Sequence, residues 1–433
     1  MKTSKYNIYV KTHKGYICFN TFSNSFVLLP PQLYSLISDK LYSDINTKQL
    51  EILKNNHILI EDEENEWKIL MEEHEDALSD NSLFELTLLP SLDCNLRCWY
   101  CFETHIKNSR IDNIAQESIL RFIENVCARN ELKKIKIELF GGEPLLYFEE
   151  ELFPLLNKIK LLSEKSGKQV EYFFITNATC INEKHLSLFK LLNANFQISI
   201  DGYREKHNSI KKMHDRSVDT YGKVIDVIHM LTSYYDTYIN LRINYDNNTL
   251  AHIEEVIKDI IDIDPKKLSI HLEKVWQLTG DDKKDVRIKD VIKMIMANGF
   301  KVSYMNFSRR SVSCKASKQN QAVISYNGDI YKCSGRDFKE NMKEGILQPD
   351  GTIKWDNIKL SQRLSIKTCD NEYCINCSFL PLCWGPCSQK LLETPDDILR
   401  YCQLKHMDMS LDDYIIYRFS NELINYKLYE NSI

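Results

Sequence analysis

No stretch of the 433-residue sequence approaches the ~18 uninterrupted apolar residues of a membrane span, so no membrane partner is expected. The N-terminus, MKTSKYNIYVKTHKGY, has neither a seven-residue apolar run nor a small-residue cleavage site, so no signal peptide is expected. Basic excess is absent too. Lys and Arg number 56 against 61 Asp and Glu, a net charge of −5, which argues against a nucleic-acid grip. There is no low-complexity tract and no internal repeat beyond a strand–helix alternation. What remains is a globular, cytoplasmic chain, 43% hydrophobic and 27% charged, long enough for two or three domains.

Cysteine is what the sequence has in quantity, with 14 residues. In a cytoplasmic chain these are thiols, and clustered thiols are metal ligands more often than bridges. Four stand apart. Cys127 continues the apolar stripe of Ile123 and Val126, Cys18 lies in a half-buried strand, Cys180 precedes a helix, and Cys369 is isolated. The others are grouped: Cys94, Cys98 and Cys101; Cys314 and Cys333; Cys374, Cys377, Cys383 and Cys387; and Cys402. The first group, CNLRCWYC, is one thiol too many for a disulfide and one too few for a closed four-ligand site. Either a distant residue completes a zinc loop, or the site stays open, as when three thiolates hold three corners of an iron–sulfur cubane and leave one iron free.

The chain divides into three segments. Residues 1–83 combine short β-like runs (YNIYV, YICFNTF, FVLLP), two helical stretches, the strand HILIEDEE and a charged helix, an α+β unit of winged-helix size. Residues 84–305 alternate six strands (FELTLLP, KIKIELF, VEYFFIT, NFQISI, YINLRIN, KLSIHLE) with amphipathic helices, for example one with Ile119, Phe122, Ile123 and Val126 at helical spacing. That pattern predicts an α/β fold with a parallel sheet, open or closed as a barrel, and chemistry at the strand carboxyl ends. CNLRCWYC, GGEP, TNAT and DGYREKH all fall there. Residues 306–433 are cysteine- and turn-rich, need a staple such as a metal cluster, and end in an amphipathic helix over about 409–427.

In GGEP, Gly141 and Gly142 allow close backbone approach to a ligand, and Glu143 can accept from an ammonium; alone, the segment reads equally as a turn before a helix. CNLRCWYC, with Tyr100 before its last Cys, resembles the motif of the radical S-adenosylmethionine (SAM) family. The resemblance implies an open iron that chelates SAM and cleaves it reductively to a 5′-deoxyadenosyl radical. It also implies SAM-binding roles for Gly141, Gly142, Glu143 and Pro144, for Thr176 and Asn177, for Ser199 and Asp201, and for Arg242 toward the methionine carboxylate. Ala178 stands where the family often has glycine, and His207 has no assigned role. No catalytic side chain is identified.

The later cysteines, with Gly328, resemble the seven-cysteine pattern of the SPASM domain. This implies two auxiliary clusters, a distal one on Cys374, Cys377, Cys383 and Cys402, and a proximal one on Cys314, Cys333 and Cys387. Three 4Fe–4S clusters result. Ser308 occupies the position where relatives carry a further proximal Cys, so that cluster is expected to keep one open iron unless Cys369 stands in. The expected architecture is a partial (β/α)6 TIM-like barrel with an N-terminal winged-helix-like domain and a C-terminal iron–sulfur SPASM domain. The implied activity is peptide maturation. An N-terminal domain binds the leader of a ribosomally made precursor as an added strand, a flavodoxin or ferredoxin supplies electrons, and an intrapeptide thioether or carbon–carbon cross-link forms. The alternatives are formylglycine formation as in anaerobic sulfatase maturases, peptide epimerisation, and a non-enzymatic iron–sulfur electron carrier. Sulfatase maturases place an Asp directly after the second SPASM cysteine; here Ser334 follows Cys333, and Asp337, three residues further, is expected to point elsewhere.

Overall fold

The alternating run KIKIEL buries Ile135, Ile137 and Leu139 completely on one face and leaves Lys136 exposed on the other, the period-2 pattern of a strand. The computed structural model describes residues 1–275, 277, 287–305, 307–308, 311–395 and 398–430, with side chains described through residue 424. Two compact units result: Asp80–Met305 with Gln319–Gln362, and Met1–Ser79 with Asn306–Lys318 and Arg363–Ile433. The three-segment division drawn from the sequence cuts the chain differently, and its third segment begins at residue 306, outside the described residues.

The unit that opens the chain starts with β1 (Lys2–Thr3), β2 (Asn7–Thr12), β3 (Gly15–Asn20), β4 (Ser25–Leu29) and β5 (Leu59–Ile60). Strands β2, β3 and β4 form an antiparallel meander, and β1 pairs with β5. Helices Pro31–Ser38 and Thr47–Asn55 cover the meander through Leu33, Ile37 and Leu53, in a core shared with Cys18 and Leu29. Asn46 caps the second helix by accepting from Gln49 N at 2.9 Å. Later parts of the chain complete this unit. Tyr6 and Leu70 share a core with Cys369, Leu380 and Trp384. Lys5 Nζ donates to Ile375 O and Thr21 Oγ1 to Ser378 O, both at 2.5 Å. The final helix, Leu411–Glu430, buries Tyr414, Ile415 and Tyr417, while Leu411 and Phe419 are only partly covered.

The other unit is built on one sheet. Its parallel strands are β6 (Leu83–Leu89), β7 (Lys134–Leu139), β8 (Gln169–Thr176), β9 (Asn195–Ile200), β10 (Ile239–Tyr245), β11 (Leu268–Lys274) and β12 (Lys301–Tyr304), each hydrogen-bonded to the next. The helix Asn113–Cys127 buries the predicted Ile119, Phe122, Ile123 and Val126, with Cys127 in the same stripe. The sequence predicts six strands; β12 is a seventh. An eighth parallel strand, β13 (Gln321–Ser325), lies on the other side of β6, with Gln321 opposite Glu85 and Ser325 opposite Leu89. Strands β14 (Asp329–Tyr331), β15 (Gly345–Leu347) and β16 (Ile353–Trp355) extend it antiparallel. The sheet is therefore mixed and has eleven strands, with β12 and β16 at its edges. The parallel order β6 to β10 puts the loops of the four motifs side by side at one end, which is what the site requires. No helix among the described residues is long and apolar enough to cross a membrane.

Candidate active site

The cysteine loop leaves β6 at Pro90 and is held by its own backbone. Asp93 Oδ1 accepts from Cys94 N and Oδ2 from Asn108 N, both at 2.8 Å. Cys94 Sγ accepts from Leu96 N at 3.4 Å and from Asn177 Nδ2 at 3.8 Å, and Cys101 N donates to Cys98 O at 3.2 Å. All three thiols line one cavity of about 210 Å³. Burial pushes the Cys98 thiol up to about 11 and raises Cys94 and Cys101 as well, so the thiols keep their protons until a metal group displaces them.

GGEP follows β7. The expected close approach of its glycines is to the cysteine loop. Gly142 sits at φ +42°, where a Cβ would lie 2.1 Å from Asp93 O; Gly141 is at φ +84°, with Ser91 O at 3.1 Å from the same position. Glu143 N donates to Asp93 O at 2.8 Å, and Gly142 N to Glu103 Oε2 at 2.6 Å. Glu143 is 1% exposed. Its Oε1 accepts from Thr176 Oγ1 at 2.6 Å and Leu145 N at 3.1 Å, and its Oε2 from Asn177 N at 2.9 Å. Burial raises its carboxyl against those bonds. Glu143 thus braces Thr176 and Asn177, which line the cavity as it does not. Ala178 adopts φ +62°, a left-handed position that accounts for glycine in similar chains.

On β9 and β10, Ser199 lies opposite Arg242, and both line the cavity with Tyr100 and Gly142. Gly141, Pro144 and Asp201 are not among the lining residues. Asp201 Oδ1 accepts from Tyr100 OH at 2.6 Å and Asn244 Nδ2 at 3.0 Å, while its buried Oδ2 has no partner among the described residues. Arg242 Nε donates to Asn244 Oδ1 at 3.0 Å. His207, fully buried, accepts at Nδ1 from Asp201 N at 3.3 Å; burial first, then the Lys211 charge, holds it neutral, well below the usual imidazole range.

Several lining residues carry no sequence motif. Lys211, 4% exposed, donates from Nζ to Ser199 Oγ at 2.5 Å. His105 Nε2 stands 3.5 Å from Cys101 Sγ, and Gln277 Nε2 donates to Tyr100 O at 2.5 Å. Glu103 is pushed up to about 7, first by burial and then by the nearby Asp337 and Glu143 charges, against the bond from Gly142. Asn244 was legible, because it lies two residues from Arg242 and strand periodicity puts both on one face. Asp337 does not point away from the site. It accepts from Thr104 N at 2.7 Å and Thr104 Oγ1 at 2.6 Å, tying the Cys333 loop to the cysteine loop. Burial works to raise its carboxyl, but bonds from Lys339 and Thr104 hold it below the usual range.

In the first unit, Cys374, Cys377, Cys383 and Cys402 surround one apolar cavity of about 60 Å³, with Leu380, Leu399 and Leu404. Burial pushes Cys383 up to about 12, with a contribution from the other three thiols. Cys369 is in the adjoining core with Trp384 and does not line that cavity. Cys314 and Cys387 belong to this unit and Cys333 to the other. Cys314 Sγ accepts from Ala316 N at 3.5 Å and Cys333 Sγ from Gly335 N at 3.4 Å. Among the described residues, no three His, Cys, Asp or Glu converge closely enough for a single metal ion. The thiols ring cavities instead.

Residues 88–260 match the Radical SAM superfamily. A cysteine-type anaerobic sulfatase-maturating enzyme of Clostridium novyi (strain NT) is 26% identical over 343 residues, 71% of this chain and 88% of that protein. The radical SAM cyclopropyl synthase TigE of Paramaledivibacter caminithermalis is 24% identical over 337 residues, 70% of this chain and 67% of that protein. Among solved structures, native anSMEcpe with bound AdoMet and Cp18Cys peptide has a TM-score of 0.55 at 20% identity, covering 80% of this chain and 98% of that one. Streptococcus suis SuiB bound to precursor peptide SuiA has a TM-score of 0.51 at 17% identity, covering 93% and 98%. The two structures speak to the fold. Residues 88–260 thus carry a radical SAM domain, which implies SAM and a 4Fe–4S cluster, and the relatives it matches are maturating enzymes and a synthase.

Proposed function

We propose that this enzyme is a cytoplasmic peptide maturase that removes hydrogen from a ribosomally made precursor and closes an intrapeptide thioether or carbon–carbon cross-link. The observation that carries the reading is coverage. The fold of SuiB, solved with a precursor peptide, extends over 93% of this chain, against 80% for anSMEcpe with its peptide. When bound, SAM at the open iron supplies the 5′-deoxyadenosyl radical that takes the hydrogen atom.

The residues present fit that group. Cys94, Cys98 and Cys101 would hold three irons, and thiols set around a cavity suit a cluster better than a single zinc ion. Tyr100, Gly142, Thr176, Asn177, Ser199 and Arg242 would contact SAM, with Gly141, Glu143, Pro144 and Asp201 shaping the wall. The unpartnered Asp201 Oδ2 needs a donor, which a ribose hydroxyl or ammonium provides. Around the 60 Å³ cavity, Cys374, Cys377, Cys383 and Cys402 would hold the distal auxiliary cluster; Cys314, Cys333 and Cys387 would hold the proximal one. Held by these cysteines, such clusters would supply an acceptor for the electron that the substrate radical gives up as the cross-link closes. The meander and helices of residues 1–83 would form the winged-helix-like recognition domain. The precursor's leader would add to an edge strand of the β2–β3–β4 meander. A flavodoxin or ferredoxin would reduce the enzyme.

Formylglycine formation is the second reading, favoured by the sulfatase-maturating relatives. Against it, Ser334 follows Cys333, and Asp337 is tied to Thr104 and Lys339 with a depressed pKa, a poor base. The test is anaerobic co-expression with the short peptide encoded beside the gene. Loss of two hydrogens with a fragment-ion gap between two residues is expected. An unchanged mass with deuterium uptake would mean epimerisation, an aldehyde would mean formylglycine, and absence of 5′-deoxyadenosine would mean an electron carrier.

A further inference from the structure

A second cavity of about 830 Å³ opens on the sheet-bearing unit, and among the described residues Cys94 alone lines both it and the reaction cavity. Its charge is one-sided. Arg97, Lys107, Lys212 and Arg216 line it, and all four are exposed. The lining includes one carboxylate, Asp93, whose two oxygens accept from Cys94 N and Asn108 N. Neighbouring Asp215 is not in the lining and is turned to Ser217. Arg97 is engaged within its own loop, by Cys94 O and Leu96 O and by an ion pair with Asp93 Oδ1 at 3.7 Å, so the unbalanced charge comes from the other three. The side chains of Lys107, Lys212 and Arg216 have no ion pair or hydrogen bond among the described residues. Half-buried Leu146, Tyr147 and Met213 line the same cavity.

Exposed cations and partly buried apolar side chains in one concavity are the ingredients of a transient protein interface. On a chain of net charge −5 such a concentration of cations is a local field of the opposite sign, suited to steering an anionic partner. The wall supplied by Cys94 decides which partner. A peptide to be modified must reach the reaction cavity. An electron donor has to come only close to the cluster, because electron transfer weakens steeply with distance, and this bowl reaches a cluster thiol without crossing the reaction cavity.

We propose that this bowl is the docking site of an acidic one-electron donor protein of the flavodoxin type, a proposal that rests on the radical SAM reading above. The donor is oxidised by one electron, and the cluster held by Cys94, Cys98 and Cys101 is reduced by it. No bond is made or broken at the bowl.

The test uses the reconstituted holoenzyme with SAM and two reductants, a reduced acidic flavodoxin and dithionite. In the triple variant Lys107→Glu, Lys212→Glu, Arg216→Glu, 5′-deoxyadenosine formation driven by flavodoxin should fall about ten-fold or more at low ionic strength. The dithionite-driven rate should stay within about two-fold, since a small reductant needs no docking surface. Stopped-flow oxidation of flavodoxin should slow in parallel, and salt should slow the wild type with flavodoxin far more than with dithionite. Equal losses with both reductants would overturn the proposal, as would an unchanged flavodoxin rate. Loss of precursor-peptide affinity with an unchanged flavodoxin rate would overturn it in favour of a peptide site. If the wild type makes no 5′-deoxyadenosine even with dithionite, the radical SAM reading fails and takes the docking site with it; failure of docking alone leaves the dithionite rate intact.

Discussion

Two cysteine sets sit in very different surroundings. Cys94, Cys98 and Cys101 lie on a loop at the end of a sheet whose Ile137, Leu139, Phe174 and Ile198 are fully buried, braced by Asp93, Gly142 and Asn177. Cys374, Cys377, Cys383 and Cys402 lie among helices as short as Glu372–Ile375 and Leu380–Cys383, around an apolar cavity. The first set is held by a core that stands without it, at ~1.5–3 kcal/mol for each large apolar side chain buried. The second has little regular structure to fix it, so the proposed cluster there would be both cofactor and staple. A reactive site is fixed by its scaffold, whereas an electron store can itself be scaffold.

The largest expected effect separates the two. Cys98→Ala should reduce 5′-deoxyadenosine formation by at least ~100-fold, beyond what loss of a mere ligand-supporting contact costs, while moving the thermal midpoint little. Cys377→Ala should spare SAM cleavage in part, abolish peptide product, lower iron from about twelve to about eight per chain, and lower the thermal midpoint more than Cys98→Ala does. Wild-type behaviour in both variants would remove the cluster assignment; a larger destabilisation from Cys98→Ala would invert the comparison. An intermediate effect is expected for Gly142→Ala, which puts a Cβ against Asp93 O at a positive φ. A cost of about 2–3 kcal/mol at the cysteine loop should weaken SAM binding by ten-fold or more, read by equilibrium dialysis; unchanged affinity would show that GGEP does not brace the loop. The smallest is Asp337→Asn. Losing part of one bonded pair costs about 1 kcal/mol, so peptide product should fall only a few-fold, whereas a collapse of ~100-fold would restore formylglycine chemistry.

The sheet was legible where its strands alternate with helices, from Leu83 to Lys274, because apolar periodicity marks each one. Strand β13 was not. QAVIS is short, fully buried and embedded among turn residues and cysteines, and its pairing with β6 depends on a register some 236 residues away in the chain, Gln321 to Glu85. The same distance hid Asp337, whose partner Thr104 lies on the far side of that pairing. Motif residues surfaced because strand ends collect them. Lys211, Glu103 and Gln277 did not, since each reaches the cavity singly from a loop or helix end where no spacing announces it.

Trp384 carries one more lesson. It is fully buried at φ +57°, its indole donates to Pro381 O at 3.1 Å, and its ring stacks on His74 with centroids 4.7 Å apart, beside Tyr6 and Leu70. The opening 79 residues are thus the roof over the cysteine-rich end of the chain. They cannot be lifted out as a cassette and transplanted between enzymes without exposing that tryptophan. The two ends of the chain would therefore be inherited together, and change in the outer strands would have to come by retouching them in place.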